Sequence, residues 1–163
     1  MRFIKLGVIS FIVLFFIFTA IGLLLPSTVV VSRAIDITAH QDTVFNKMKS
    51  IYEWKNWIAG MNKPEVKIIS EKEADLFGTK VIITAVKDDA IYSNWISKKN
   101  NTQESIMRVI HNNNSPQITV QWQFTEKLKW YPWQRFSSLM NESITGKQLE
   151  NNLAALKKIV EEK

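Results

Sequence analysis

Residues 6–25 read LGVISFIVLFFIFTAIGLLL, twenty positions without a charge, and no other stretch restricts the fold so severely. Leu, Ile, Val and Phe fill 15 of them. Each such side chain favours a bilayer interior by roughly 0.3–0.6 kcal/mol, so the whole run gains several kcal/mol on insertion. Coiled as a helix it is about 30 Å long, the thickness of a hydrocarbon core. A cleaved signal peptide competes with this reading, with Arg2 and Lys5 as its basic start. Signal peptides usually carry about 7–15 apolar residues before a small-residue cleavage site. Here "LLLPSTVVV" follows, bulky and then β-branched. A buried helix of a soluble protein is the third option. The chain has no cysteine, which excludes a lipoprotein anchor. The uncleaved anchor is preferred.

The flanks orient it. Arg2, Lys5 and the α-amino group precede the span, whereas only Arg33 follows closely. Basic residues stay on the cytoplasmic side. The expectation is a single-pass membrane protein with a cytoplasmic N-terminus and an extracytoplasmic domain, on the periplasmic side in a bacterium. Residues 1–25 are then the cytoplasmic stub and transmembrane anchor, and residues 26–163 are one domain. Setting aside Arg2 and Lys5 leaves 19 basic against 15 acidic residues, a net of +4. The signs are mixed and no basic tract exists, so nucleic acid is not an expected partner.

Within the domain, hydrophobic periodicity changes twice. "VVVSRAIDI" (29–37) is a strand with Val31, Ile35 and Ile37 on one face. "QDTVFNKM" is a short helix. "SIYEWKNW" opens a second, with Ser50 and Glu53 spaced as a capping box and Gly60 as its stop. Five strands follow: "EVKIIS", "KVIITAV" after a break at Gly78, "AIYSNWIS", "ESIMRVI" and "QITVQWQFT". In the last, Ile118, Val120, Trp122 and Phe124 alternate with Thr119, Gln121, Gln123 and Thr125, the mark of an antiparallel strand wet on one face. Asp88-Asp89, "KKNNT" and "HNNNSP" read as turns, so the strands form a meander. Leu149, Leu153, Leu156 and Val160 then stripe a terminal helix of about 25 Å, beginning at Thr145. The fold class is α+β: a curved antiparallel sheet of about six strands, ordered β-α-α-β5-α, around a long C-terminal helix. A curved sheet crossed by a helix tends to enclose a cavity.

That order resembles the helix-grip fold of the START-related, polyketide cyclase-like (SRPBCC) superfamily. "VVVSRAIDITAHQDTVFNKM" is similar to the family's opening strand, turn and helix, and "WKNW" to its Trp-x-x-Trp pair. "LKWYPWQRF", "GKQLENNLAALKKIVEE" and the junction "LLLPSTVVVSR" resemble a membrane-anchored bacterial branch. His40 departs from the family by standing where many members have proline. The resemblance implies a cavity for a hydrophobic or amphipathic small molecule, such as a lipid. Other members catalyse ring closure or dehydration, or act as regulatory binding modules, and a fold alone does not choose among these.

Signals for chemistry are sparse. His40 and His111 lack metal-type partners, so neither a metal nor a cofactor is expected, and no catalytic residue is assigned. There is no phosphate-binding glycine loop and no Gly-x-Ser-x-Gly elbow. Tyr92, Arg108 and Asp36 are candidate polar groups for a cavity, with facing left open. The candidate ligand-binding set is aromatic: Trp54, Trp57, Trp95, Trp122, Phe124, Trp130, Trp133 and Phe136. Plain core packing is the competing role, with bilayer-interface anchoring a third. "WYPWQRF" (130–136) is read as a connection that leaves the sheet at Pro132 and plugs one end of the core, with Arg135 on its wet side.

Overall fold

The structure is a computed structural model that describes residues 2–111 and 117–162. The turn expected at "HNNNSP" lies almost wholly outside the described residues. Helix α1 (Arg2–Leu24) contains the apolar run. From Phe3 to Leu24 it is long and apolar enough to cross a membrane, with almost none of its surface covered by the rest of the chain. Then come β1 (Thr28–Ile37), α2 (Gln41–Met48) and α3 (Ile51–Trp54). Six more strands follow: β2 (Lys67–Ser70), β3 (Glu73–Leu76), β4 (Thr79–Val86), β5 (Ala90–Ile96), β6 (Thr102–His111) and β7 (Ile118–Lys127). Helix α4 (Pro132–Glu161) closes the chain.

All seven strands form one antiparallel sheet in the order β1-β7-β6-β5-β4-β3-β2. The expected six become seven because "EADL" forms β3. Its two carboxylates hide the alternation, yet Ala74 is fully buried. The hairpin from β3 to β4 turns on Phe77 and Gly78 alone, both at positive φ (56° and 85°), as a two-residue turn between twisted strands demands. Thr84 is an extra residue between the Ile83–Ser93 and Ala85–Tyr92 pairs, a bulge that bends β4.

One face of the sheet carries the core. Ile118, Val120, Trp122 and Phe124 point inward from β7, Met107 and Val109 from β6, and Val81 and Ile83 from β4. Leu149, Leu153, Leu156 and Val160 of α4 complete it. Polar links fix α4 along β1. Arg33 Nε meets Glu150 Oε1 at 2.6 Å, Lys157 Nζ donates to the Asp36 carbonyl at 2.8 Å, and Thr38 N–H donates to Glu161 at 2.7 Å. Arg33 crosses the helix where residue 146 is glycine, since a Cβ there would collide with the guanidinium.

The Ser50/Glu53 capping box is not formed. Ser50 is the N-cap residue but makes no side-chain cap bond, and Glu53 instead pairs with Lys47 and Asn56. The local order comes from the tryptophans. Trp54 Nε1 donates to the Met48 carbonyl at 2.7 Å and Trp57 Nε1 to the Lys47 carbonyl at 3.0 Å. Both acceptors belong to the last turn of α2, where helical carbonyls have no helical partner. The Trp-x-x-Trp pair thus terminates one helix while filling the core beneath it.

The terminal helix is the largest correction. It starts at Pro132, not near Thr145, and runs 30 residues. Pro132 lacks an N–H, which costs nothing in a first turn, so "WYPWQRF" is a helix start rather than a connection. Trp130 and Trp133 are exposed rather than plugging the core. Arg135 is not on a wet side: its Nη1 donates to the carbonyls of Gly22, Leu23 and Leu25 at 3.2, 3.1 and 2.7 Å. A guanidinium there satisfies orphan carbonyls at the end of α1 and complements its negative dipole end.

Trp54→Phe keeps a ring but orphans the buried Met48 carbonyl. It should lower the unfolding free energy by about 1–3 kcal/mol, read as a fall in urea midpoint. Tyr52→Phe, at an exposed neighbouring position, should leave that midpoint unmoved.

Candidate ligand-binding hollow

Strand register sorts the inward residues into rows. Trp95 of β5, Gln103 of β6 and Glu126 of β7 stand side by side, followed by Val29 of β1. The next row holds Ser93, Ser105, Phe124 and Val31, and the next Ile91, Met107 and Trp122. The first of these rows, with Gln103 and Glu126, lies at the sheet end where β1 follows α1, and Arg33 of β1 shares the third row.

Between these rows and α4 lies a hollow of about 220 Å³. Trp95, Trp122 and Phe124 form its sheet side, with Leu76 at the margin. Leu149 and Asn152 face them from α4, and Ile58 and Ala59 close the side beyond α3. Gln103, Thr145 and Gln148 supply its remaining polar atoms. Among the described residues, no ionisable side chain lines it.

Two adjoining hollows share its walls. One of about 210 Å³ is lined by Trp95, Gln103 and Glu126 with Thr79, Ser97 and Asn101. A narrow one of about 20 Å³ runs past Gln103, Phe124 and Thr145 to Val29, Glu126, Ser138 and Glu142. Gln103 borders all three, and its Nε2 donates to Glu126 Oε2 at 2.9 Å.

The rings that wall the hollow are held by buried serines. Trp122 Nε1 donates to Ser105 Oγ at 2.8 Å, and Trp95 Nε1 to Ser93 Oγ at 3.2 Å. Trp95 stacks on Trp54 with centroids 6.2 Å apart, and packs edge-on to Phe124 at 5.3 Å. Trp57 meets Trp122 edge-on at 5.5 Å.

Of the eight aromatic candidates, Trp95, Trp122 and Phe124 line the hollow. Trp54 and Trp57 are buried behind them, and Trp57 also borders a surface depression beyond α3. Trp130, Trp133 and Phe136 do not reach it. Phe136 stacks on Phe18 of α1 at 4.5 Å, and Trp130, Tyr131 and Trp133 form their own stack at 4.9 and 5.0 Å. Tyr92, Arg108 and Asp36 occupy outward positions: Tyr92 lies under Lys87 Nζ, Arg108 is exposed, and Asp36 accepts from Thr119 Oγ1 at 2.6 Å. Gln103, Ser93, Ser105 and Gln148 were not singled out by sequence. The two serines carried a signal, since they interrupt inward-facing apolar positions of otherwise alternating strands. No group of three or more His, Asp or Glu suited to a metal ion occurs among the described residues.

A bent antiparallel meander gripping a long C-terminal helix, with a hollow between them, defines the helix-grip class. The chain has the fold of the START-related, polyketide cyclase-like superfamily. It is similar to a START superfamily protein from Mycobacterium smegmatis, with 15% identity, TM-score 0.56, and coverage of 82% of this chain and 97% of that one. It is also similar to norcoclaurine synthase from Thalictrum flavum in complex with a transition-state analogue, with 13% identity, 83% and 95% coverage and TM-score 0.63. CalU16 from Micromonospora echinospora matches at 12% identity, 82% of either chain and TM-score 0.57. At such identities the likeness carries the fold and no residue roles. No protein-family model and no curated protein matches the sequence.

Ser105→Ala removes the acceptor of the buried Trp122 N–H with little change of volume. It should cost about 1–3 kcal/mol, measured by urea unfolding, and Ser105→Thr should recover part of the loss.

Proposed function

We propose that this chain is a membrane-tethered binding module for a small hydrophobic or amphipathic ligand, held between the sheet and α4. The lining of the hollow is the observation that carries this reading. Three aromatic rings and Leu149 offer an apolar bed, and Gln103, Thr145 and Gln148 offer a few convergent polar atoms. Binding sites commonly combine these two elements. At about 220 Å³ the hollow lies below the roughly 300–1,000 Å³ of drug-sized sites, so a compact ligand or the end of one acyl chain fits better than a whole phospholipid.

Charge narrows the class. Glu126 and Glu142 line the narrow end, so an anionic head would meet like charge there. The favoured ligand has an apolar body and a neutral or cationic polar end. The same fold holds a transition-state analogue in norcoclaurine synthase. A cyclase or dehydratase reading needs an acid or base in contact with the ligand, and the carboxylates of Glu126 and Glu142 line only the adjoining hollows. A regulatory domain with a filled core is disfavoured by the hollow itself.

Residues 6–25 serve as the uncleaved anchor in this proposal, and residues 26–163 as the domain outside the cytoplasm. Arg2 and Lys5 support that orientation. In spheroplasts, added protease should reach the domain. A domain protected until the membrane is lysed would reverse the topology.

The full-length protein in lipid nanodiscs should show saturable quenching of tryptophan fluorescence by medium-chain alcohols and amines, and weaker quenching by the matching carboxylates. Thr145→Trp places a ring in the hollow from a half-exposed helix position and should abolish saturation. Equal, non-saturable responses in both proteins would sink the proposal.

A further inference from the structure

The buried stripe of α4 from Leu149 to Val160 contains one polar residue. Asn152, 8% exposed, stands between Leu149 and Leu153 on the inward face. Asparagine is a poor helix former, and its amide loses water on burial, so the residue weakens the helix unless the amide is used. An amide side chain carries one acceptor oxygen and two N–H donors. The oxygen is used: it accepts from the Ala59 backbone N–H at 2.9 Å. That bond fixes the orientation, because a flipped amide would set N–H against N–H. The nitrogen is not used. Among the described residues nothing accepts from it, and it is not sealed off from open space either.

Two spaces meet at Asn152. Together with Ile58 and Ala59 it borders both the main hollow and the surface depression beyond α3. The depression carries Lys55, Asn56, Asn62 and Asn151, a setting for water. The hollow is walled largely by Ile58, Leu149 and aromatic rings, which offer an N–H no acceptor. Its other end has the opposite sense. Thr145 is seven residues before Asn152, roughly 10 Å along the helix axis, and shares the narrow hollow with Gln103 and Glu126. Gln103 Nε2 donates to Glu126 Oε2, which leaves mainly acceptor oxygens on that pair.

We infer that Asn152 determines ligand specificity: its amide donates to an acceptor oxygen of the ligand, which carries a carbonyl-type oxygen at the Asn152 end of an apolar body. This inference rests on the ligand-binding reading of the hollow and narrows it. A ligand without that oxygen leaves the amide N–H groups dry, so the site rejects it more strongly than apolar contact alone would. A hydroxyl or amine on the same ligand belongs at the other end, beside Gln103 and Glu126.

Two probes of one shape test it: hexyl methyl ketone, and the alkene in which a methylene replaces the ketone oxygen. Each is titrated against the full-length protein in lipid nanodiscs by tryptophan fluorescence, and affinities are corrected for partition into protein-free nanodiscs. The wild type should bind the ketone about tenfold more tightly than the alkene. Asn152→Asp keeps an oxygen for the Ala59 N–H and exchanges the amide donors for a second acceptor, so the ratio should fall to about one or below. Asn152→Leu, matched in volume and suited to the stripe, should lose the preference as well and replaces the first variant if urea unfolding shows that one to be unstable. An asparagine that only holds Ala59 would leave the ratio unchanged in Asn152→Asp, because that bond survives. Equal binding of both probes by the wild type, or a preference for the ketone that persists in the variants, would overturn the assignment and leave the ligand-binding reading standing. Saturable binding of neither probe overturns it too, and the response to medium-chain amines then decides whether the ligand-binding reading falls with it.

Discussion

Four tryptophan rings lie at or near the centre of this domain, and each brings an N–H that cannot be left dry. An unpaired polar group of that kind costs about 1–3 kcal/mol, enough to decide how neighbouring elements must lie. Trp54 and Trp57 find their acceptors at the end of α2, so α3 must fold back beneath that helix. Trp95 and Trp122 find theirs in Ser93 and Ser105, which face one another across β5 and β6. The ring contacts then join the two pairs into one cluster. The hollow follows from the same cluster. Leu153 and Leu156 are buried in the core, whereas Leu149 lines the hollow together with the rings of Trp95, Trp122 and Phe124. Rings held by hydrogen bonds cannot collapse into a gap as a methionine can, so the space persists.

Much of this was legible from residue order. The alternation in "ITVQWQFT" reports a half-wet strand because its inward positions carry only large apolar groups. The stripe from Leu149 to Val160 reports its helix for the corresponding reason. The failures have physical causes too. β3 is four residues long and carries Glu73 and Asp75, so only Ala74 and Leu76 mark an inward face, too short a pattern to show a period. Facing could not be assigned to Tyr92 or Arg108, since register fixes which side of a pleat a residue takes and the turns alone did not fix register. The capping box was not formed, since Ser50 makes no side-chain cap bond, and Glu53 pairs with Lys47.

Candidate site residues were legible only where burial and function coincide. Trp95, Trp122 and Phe124 are both core and wall, so aromatic content pointed to them correctly as large inward rings. Trp130 and Trp133 share their chemistry but not their place. Composition cannot separate a ring facing a cavity from one facing outward at a helix start. Pro132 was the misleading residue. It reads as the point where a connection leaves the sheet, although fixed φ and a missing N–H suit the first helical turn equally well. Once Pro132 opens a helix, the next turn brings Arg135 onto the carbonyls of α1, a contact between residues more than a hundred positions apart that no local pattern encodes.

That contact couples the two halves of the chain. A helix connected to its domain only through Leu25, Pro26 and Ser27 would leave the domain free to pivot. Here three carbonyls accept from one guanidinium, Phe18 stacks on Phe136, and Gly22 gives Pro132 room to approach. All three bonds come from Nη1, so the contact rests on one terminal nitrogen of the guanidinium. The junction lies near the polar row, Gln103 and Glu126, at the end of the sheet where β1 follows α1. Arg135, Phe136 and Pro132 join the start of α4 to the end of α1 at the same end of the sheet as that row.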